Sequence, residues 1–256
     1  MGWQYLSKQV DSRVALVTIN RPDKGNALSP DVLTEIASLF TGLNQDPEVN
    51  VAVLTGGEKM FSAGFDLDFV RQVEKSDNEA FISLFHRAYR AILFCRRPVI
   101  AAVGGPAIAG GFDLTMMCDI RYASENAKFG QREVALSLPP IMDPLWRIIG
   151  LGRAKEVAFS GRVYDAVEAE RMGYVSRVFP RGRLLESVLP IARTMASYDR
   201  QCMDETKRLT HLLADKDLDG AMTTQEWLFR SYIGSPDNRR RVTDLLADLK
   251  KKPAVS

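Results

Sequence analysis

RPVIAAVGGPAIAGGFDLTMMCD, residues 97–119, is the stretch whose reading decides the fold. Residues 98–103 form an apolar, β-branched run of strand length, which predicts a buried strand. Gly104, Gly105 and Pro106 end that run, and Gly110 and Gly111 open a short apolar helix through Phe112, Leu114, Met116 and Met117. A strand, a glycine turn and a helix N-terminus together present bare N–H groups to negative charge, because the first N–H groups of a helix lack internal partners. Asp113 follows about one turn into the helix, so a candidate acid/base stands within a few residues of a candidate anion hole. Taken alone, the glycines also fit a tight packing turn with no chemistry.

A second stretch repeats the logic. Residues 51–69, VAVLTGGEKMFSAGFDLDF, again run strand, glycines, then a turn into a helical pattern. Two such turns in one domain can supply the two donors of an oxyanion hole. Nucleotide motifs do not account for the glycines: G-x-G-x-x-G does not fit, and neither G-x-x-x-x-G-K-[ST] nor G-x-S-x-G occurs.

Five segments in order resemble the crotonase (enoyl-CoA hydratase/isomerase) superfamily. They are RPDKGNALS (21–29), FSAGFDL (61–67), residues 97–124, AKFGQRE (127–133), and residues 169–175 followed by Val178-Phe179-Pro180. The resemblance implies an α/β fold, a crotonase-like spiral of ββα units with a C-terminal α-helical region. It places an active-site core at residues 1–182 and a helical oligomerisation region at 183–256, with a homotrimer or homohexamer as the assembly. A helical cap on the chain's own core is the alternative use of that tail.

Composition is that of an ordinary globular protein and narrows the partners. The chain has 256 residues, 46% of them hydrophobic, enough for a sizeable core. A net charge of +2 recommends neither nucleic acid nor a membrane. Three scattered cysteines, Cys95, Cys118 and Cys202, have no C-x-x-C spacing and suggest reduced thiols rather than zinc ligands. The N-terminal residues lack a signal-peptide pattern, and apolar runs stay below spanning length, so a cytoplasmic protein is expected.

Along the chain, residues 14–19 read as a strand. Ser29 and Pro30 open a helix to about residue 44, with Ser as N-cap and Pro at the first position. A strand at 51–54 leads to the first glycine turn. Residues 77–96 carry Phe81, Leu84, Phe85, Ala88 and Ile92 on one helical face. After the central stretch come a strand at 118–123 and a loop at 125–138. Helices are expected at 145–159 and 165–172, then a strand at 174–179. Beyond residue 182 only helices are expected, at 184–195, 199–213, 217–231 and 239–250.

By the resemblance, the backbone N–H groups of Phe65 and Gly110 hold the thioester oxygen of a coenzyme A substrate. Asp113 and Glu133 match the acid/base positions. Hydratases of the family usually carry Glu at both places, so Asp113 shortens the reach by one methylene, about 1.5 Å. Helix-terminal charge is the plain alternative for Asp113, and a solvated loop charge for Glu133. The bulky Phe65 is expected to restrict the acyl pocket. Lys24, Ala27, Leu28, Ser62, Ala63, Phe65 and Gly110 fall where the family binds coenzyme A. Downstream of Glu133, residues 137–144 read SLPPIMDP, a stiffer wall than a glycine loop, with Asp143 as a third acidic candidate. The basic runs 239–241 and 250–252, His86 and His211 read as solvated or structural residues.

The reaction implied is the addition of water to an α,β-unsaturated acyl-CoA, with no cofactor beyond the coenzyme A of the substrate and no metal. A Δ3,Δ2-enoyl-CoA isomerase using Glu133 alone is the first alternative, followed by a thioester hydrolase or dehalogenase. A non-catalytic or RNA-binding relative is a remote alternative, disfavoured by the low charge.

Overall fold

The computed structural model describes residues 2–76 and 78–251. Asp77, the expected start of the third helix, and Lys252, the end of a basic run, lie outside the described residues. The chain opens with β1 (Leu6–Asp11) and β2 (Val14–Ile19), then α1 (Pro30–Leu43), β3 (Val51–Thr55), α2 (Leu67–Val70) and α3 (Asn78–Leu93). The central stretch gives β4 (Val99–Val103), β5 (Ala107–Ile108) and α4 (Gly110–Met116). It continues with β6 (Ile120–Ser124), β7 (Lys128–Gly130), α5 (Leu145–Ile149) and α6 (Leu151–Ser160). Next are β8 (Tyr164–Asp165), α7 (Ala166–Arg171), β9 (Arg177–Phe179) and α8 (Leu184–Ala196). The last helices are α9 (Arg200–Leu213), α10 (Leu218–Tyr232) and α11 (Pro236–Lys251).

Six strands form one sheet in the order β1-β2-β3-β4-β6-β9, parallel except for the β1–β2 hairpin. A small second sheet orders β5-β7-β8. The period of two in side-chain direction builds two cores from the central strands. Ala52, Leu54, Val99, Ala101 and Val103 face the larger core, shared with α1 and α3. Val51, Val53, Ile100 and Ala102 face the other way, against Leu184, Val188 and Ala192 of α8. Both faces are covered, which is why β3 and β4 are buried at every position.

The chain forms two compact units, Met1–Asp204 and Glu205–Ser256. The helical tail expected from residue 183 therefore contributes its first helix, α8, to the core of the first unit. In the second unit, α10, α11 and the residue that follows α10 leave large apolar side chains exposed, among them Leu218, Trp227, Phe229, Ile233 and Leu245. Among the described residues, no helix is long and apolar enough to cross a membrane.

Three local differences from the sequence reading have physical causes. The β1–β2 hairpin turns on Ser12 and Arg13, both at positive φ (51° and 63°), without the Gly or Asn that normally marks such a turn. The helix expected at 145–159 is two helices, broken where Gly150 takes φ 80°. The loop at 125–138 contains β7, a three-residue strand too short to show alternation.

Candidate active site

Hydrogen bonds lace the two glycine turns together. The Phe61 and Ser62 N–H groups donate to the Pro106 carbonyl (2.9 and 3.2 Å), and the Ile108 N–H donates to the Ser62 carbonyl (3.0 Å). Leu28 bridges to the first turn through its N–H to the Gly64 carbonyl (2.8 Å), and its own carbonyl accepts from Asp66 N–H (3.2 Å). The approach is so close that several positions need glycine, Gly111 and Gly64 among them. A Cβ on Gly111 would stand 2.3 Å from the Ser62 carbonyl oxygen. Gly64, at φ +96°, would place a Cβ 2.8 Å from the Ile108 oxygen and 3.1 Å from the Gly110 nitrogen.

Ala109 precedes α4 at φ 50°, ψ −126°, a conformation that typically costs a non-glycine residue about 1–3 kcal/mol. Its N–H is held by the Gly130 carbonyl at 2.7 Å. The consequence is that α4 begins at Gly110 directly beside Gly64. Among the described residues, neither the Phe65 nor the Gly110 N–H donates to a protein acceptor. Two unspent donors therefore lie on adjoining strands of backbone.

The carboxylates lie deeper. Asp113, 2% exposed, sits in the first turn of α4. The Tyr89 hydroxyl donates to one of its oxygens at 3.5 Å, and the Gln131 amide donates to the other at 3.4 Å. Glu133, 7% exposed, opens the short helical turn Glu133–Leu136, and neither of its carboxylate oxygens has a hydrogen-bond partner. Burial pushes the Asp113 carboxyl well above the usual carboxylate range, and the nearby charge of Glu133 pushes it further. Burial also raises Glu133. Two like charges in one dry site resist ionising together, so each carboxyl opposes the ionisation of the other. Buried Tyr89 is held neutral by the same burial and by the two carboxylates.

Asp113 and Glu133 line a cavity of about 790 Å³, together with Ala63 and the rings of Phe65, Phe81 and Phe85. The Phe65 ring packs with α3, centroids 5.2 Å from both Phe81 and Phe85, and stacks on Tyr89 at 6.4 Å. Its ring is thus part of the cavity wall. Of the other predicted binding residues, Ala27, Leu28 and Ser62 are buried. The Ser62 hydroxyl donates to the Asn26 carbonyl (2.8 Å) and accepts from Gly64 N–H (3.2 Å), so it holds the turn. Lys24 is exposed and lies 3.5 Å from Asp68. Asp143 is not brought to the cavity; it pairs with Arg147 at 3.0 Å. His86 is exposed, its ring stacked on Phe85 with centroids 4.5 Å apart. Among the described residues, no cluster of three or more His, Cys, Asp or Glu could hold a metal ion.

Tyr89 and Gln131 escaped the sequence reading. Tyr89 sits four residues after Phe85 on the apolar face of α3, where an aromatic residue passes for core. The signal was its hydroxyl, since a buried Tyr O–H usually requires a partner. Gln131 lies two residues before Glu133, within a segment already singled out.

Two N–H groups without a protein acceptor and a buried pair of carboxyl groups thus lie on the two glycine turns and the segment that follows them. The enoyl-CoA hydratase/isomerase family model matches residues 9–250, and the chain belongs to that family. It is 35% identical over 240 residues to a protein of Mycobacterium bovis named "Probable enoyl-CoA hydratase", covering 93% of each chain. It is 34% identical over 250 residues to a crotonyl-CoA hydratase of Syntrophomonas wolfei, covering 96% of each. The crystal structure of an enoyl-CoA hydratase from Bacillus anthracis superposes with a TM-score of 0.90 at 31% identity, over 97% of each chain. The fold is the crotonase-like α/β fold with a C-terminal helical region, and the protein is an enzyme of hydratase or isomerase type.

Proposed function

We propose that this enzyme adds water across the double bond of a 2-enoyl-CoA, with Asp113 and Glu133 sharing the proton transfers. The observation that carries this reading is the buried pair itself, two carboxyl groups that line one cavity. The Phe65 and Gly110 N–H groups receive the thioester oxygen as charge moves onto it. Losing one such donor typically costs about 10²–10³ in rate. Asp113 positions and activates the water, and Glu133 exchanges the proton of the α-carbon. The ionised carboxyl takes a proton from water as the C–O bond forms, and the protonated one delivers its proton to the α-carbon. The pair ends with one proton, as it began, and no cofactor is required because coenzyme A belongs to the substrate. Lys24 and Ala63, both exposed beside the first turn, are the members of the predicted coenzyme A set best placed to meet it.

A second reading rests on a specific difference between the carboxylates. Asp113 has two side-chain partners, whereas Glu133 has none, as a Δ3,Δ2-isomerase with Glu133 as sole proton carrier would require. Incubation with 2-enoyl and 3-enoyl thioesters separates the two. Loss of enoyl absorbance with formation of the 3-hydroxyacyl thioester supports hydration. Interconversion of the enoyl isomers without hydration supports the isomerase, and release of free thiol would indicate hydrolysis.

The second unit supports a further part of the proposal, self-association into a trimer or hexamer. Leu218 is 82% exposed, Ile233 70%, and Trp227 and Phe229 63% each, more apolar surface than a lone soluble helix pair normally shows. Light scattering on the full chain tests it: a trimer or hexamer is expected, and an active monomer would contradict it.

A further inference from the structure

Resting on the proposed acyl-CoA reading, the geometry points to a substrate whose acyl group carries a ring at the β-carbon, a 3-aryl-2-enoyl thioester. With the thioester oxygen at Phe65 and Gly110, and the α- and β-carbons between Asp113 and Glu133, the group beyond the β-carbon shares the rest of the cavity with the end of coenzyme A that reaches Ala63. A four-carbon acyl group ends one atom later. At about 30 Å³ for each water-sized group, four carbons fill roughly 120 Å³. That is a small part of the 790 Å³ present.

The walls favour a ring over a long flexible chain. Phe65, Phe81 and Phe85 form a triad with centroids 5.2–5.7 Å apart and planes inclined by 52–71°. This is the tilted, edge-to-face arrangement into which another aromatic ring packs well. All three rings are only half-buried and line the cavity. Leu136, Leu138 and Pro139 supply further apolar lining, and the two leucines are 50% and 45% exposed. Aromatic side chains have few rotors and proline fixes its φ, so the aromatic and proline part of this lining is largely set before anything binds. A preformed slot favours a rigid occupant, because a flexible chain must surrender its rotamer freedom on entry. A ring conjugated with the double bond is flat and loses little.

Saturated thioesters, which cannot be hydrated, test the inference apart from the reaction. Calorimetry would compare butanoyl-CoA, decanoyl-CoA and 3-phenylpropanoyl-CoA on the full-length protein. The phenylpropanoyl thioester should bind at least about tenfold more tightly than butanoyl, the scale on which apolar pockets discriminate. It should also bind more tightly than decanoyl despite having one carbon fewer. Phe81→Leu and Phe85→Leu, conservative changes at half-buried positions, should each shrink the ratio of phenylpropanoyl to butanoyl affinity. Equal binding of phenylpropanoyl and butanoyl, tighter binding of decanoyl, or a ratio untouched by both substitutions would overturn the inference. Hydration of cinnamoyl-CoA and crotonyl-CoA by the same protein keeps the two questions separate. Ring preference without any hydration leaves the inference standing and removes the hydratase reading. Rapid crotonyl hydration without ring preference does the reverse.

Discussion

Two of the places where the first unit buries charge treat it in opposite ways. Arg97 and Asp204 are 3% and 8% exposed and face each other as an ion pair. The Arg97 side chain also donates to the Val49 carbonyl (2.9 Å) and the Asn44 carbonyl (3.4 Å). Asp113 and Glu133 are buried as deeply but are both acidic, and neither carboxylate oxygen of Glu133 has a partner from another residue. Opposite charges in contact are a structural solution, since their attraction offsets part of the desolvation penalty even though one Asp204 oxygen is left without a hydrogen-bond partner. Like charges left short of partners work against folding, and such a site persists where the strain serves chemistry. The contrast separates residues that hold the fold from residues proposed to act on substrate.

The comparison breaks first at its structural end. Asp204→Ala removes the carboxylate that faces buried Arg97, and breaking a buried pair in this way typically costs about 3–5 kcal/mol. In a domain of this size that lowers Tm by roughly 6–20 °C. The kcat of the protein that remains folded should stay within about twofold of wild type. A large loss of kcat at unchanged Tm would mean that the ion pair is no scaffold.

Next in size is the contact between the two glycine turns. Gly64→Ala drives a methyl group toward the Ile108 carbonyl and the Gly110 nitrogen and must part the two donors. Steady-state kinetics should show kcat lower by about 10²–10³, the worth of one oxyanion donor. A folded Gly64→Ala protein with wild-type kcat would show that the two N–H groups do not act together.

The elements that carry the fold are legible in the sequence where local chemistry and tertiary packing agree. Ser29 caps α1 by accepting from the Val32 N–H, with Pro30 at the first position, as the residues announce. The apolar runs at β3 and β4 read as buried strands because both sheet faces are covered. What stays hidden depends on contacts distant in sequence. Nothing in residues 184–196 distinguishes a helix that covers the second sheet face from one that serves a partner subunit. The Ser12-Arg13 turn conceals β1, and the strands of the small sheet are too short to show a period. At the site, the turns and both carboxylates are visible by their spacing and resemblance. Tyr89 is not, because only the fold brings α3 to α4, 24 residues later in the chain.

Tyr89 gives a smaller effect that sharpens the comparison. Its hydroxyl supports Asp113 and also donates to the Gly110 carbonyl at 3.3 Å. A single neutral hydrogen bond is worth about 1 kcal/mol, so Tyr89→Phe should lower kcat roughly fivefold with little change in KM. The Tyr89 hydrogen bond favours ionised Asp113, so its loss raises that carboxyl further and moves the acid limb of the rate profile to higher pH. A uniform loss of activity with an unmoved profile would leave Tyr89 a packing residue only.

The smallest effect concerns stability and pH. Asp113 binds its proton more tightly in the folded protein than in the unfolded chain, where its pKa is about 3.9. Its favourable contribution is therefore complete below that value and is lost as pH rises through the folded pKa. Asp113→Asn cannot titrate and escapes that loss. The difference in Tm between Asp113→Asn and wild type should grow in favour of the variant from pH 5 to pH 8. A constant difference would indicate that Asp113 is ionised in the folded protein across that range.

The most direct test is turnover of wild type, Asp113→Asn, Glu133→Gln and the double variant on matched 2-enoyl and 3-enoyl thioesters. Both substitutions keep shape and hydrogen bonding while removing the titrating group. If the pair works as a unit, each single variant loses hydration by at least about 10². The double variant should then be little worse than the worse single. Full hydratase activity in Asp113→Asn would contradict the shared-proton account and leave Glu133 as the only proton carrier.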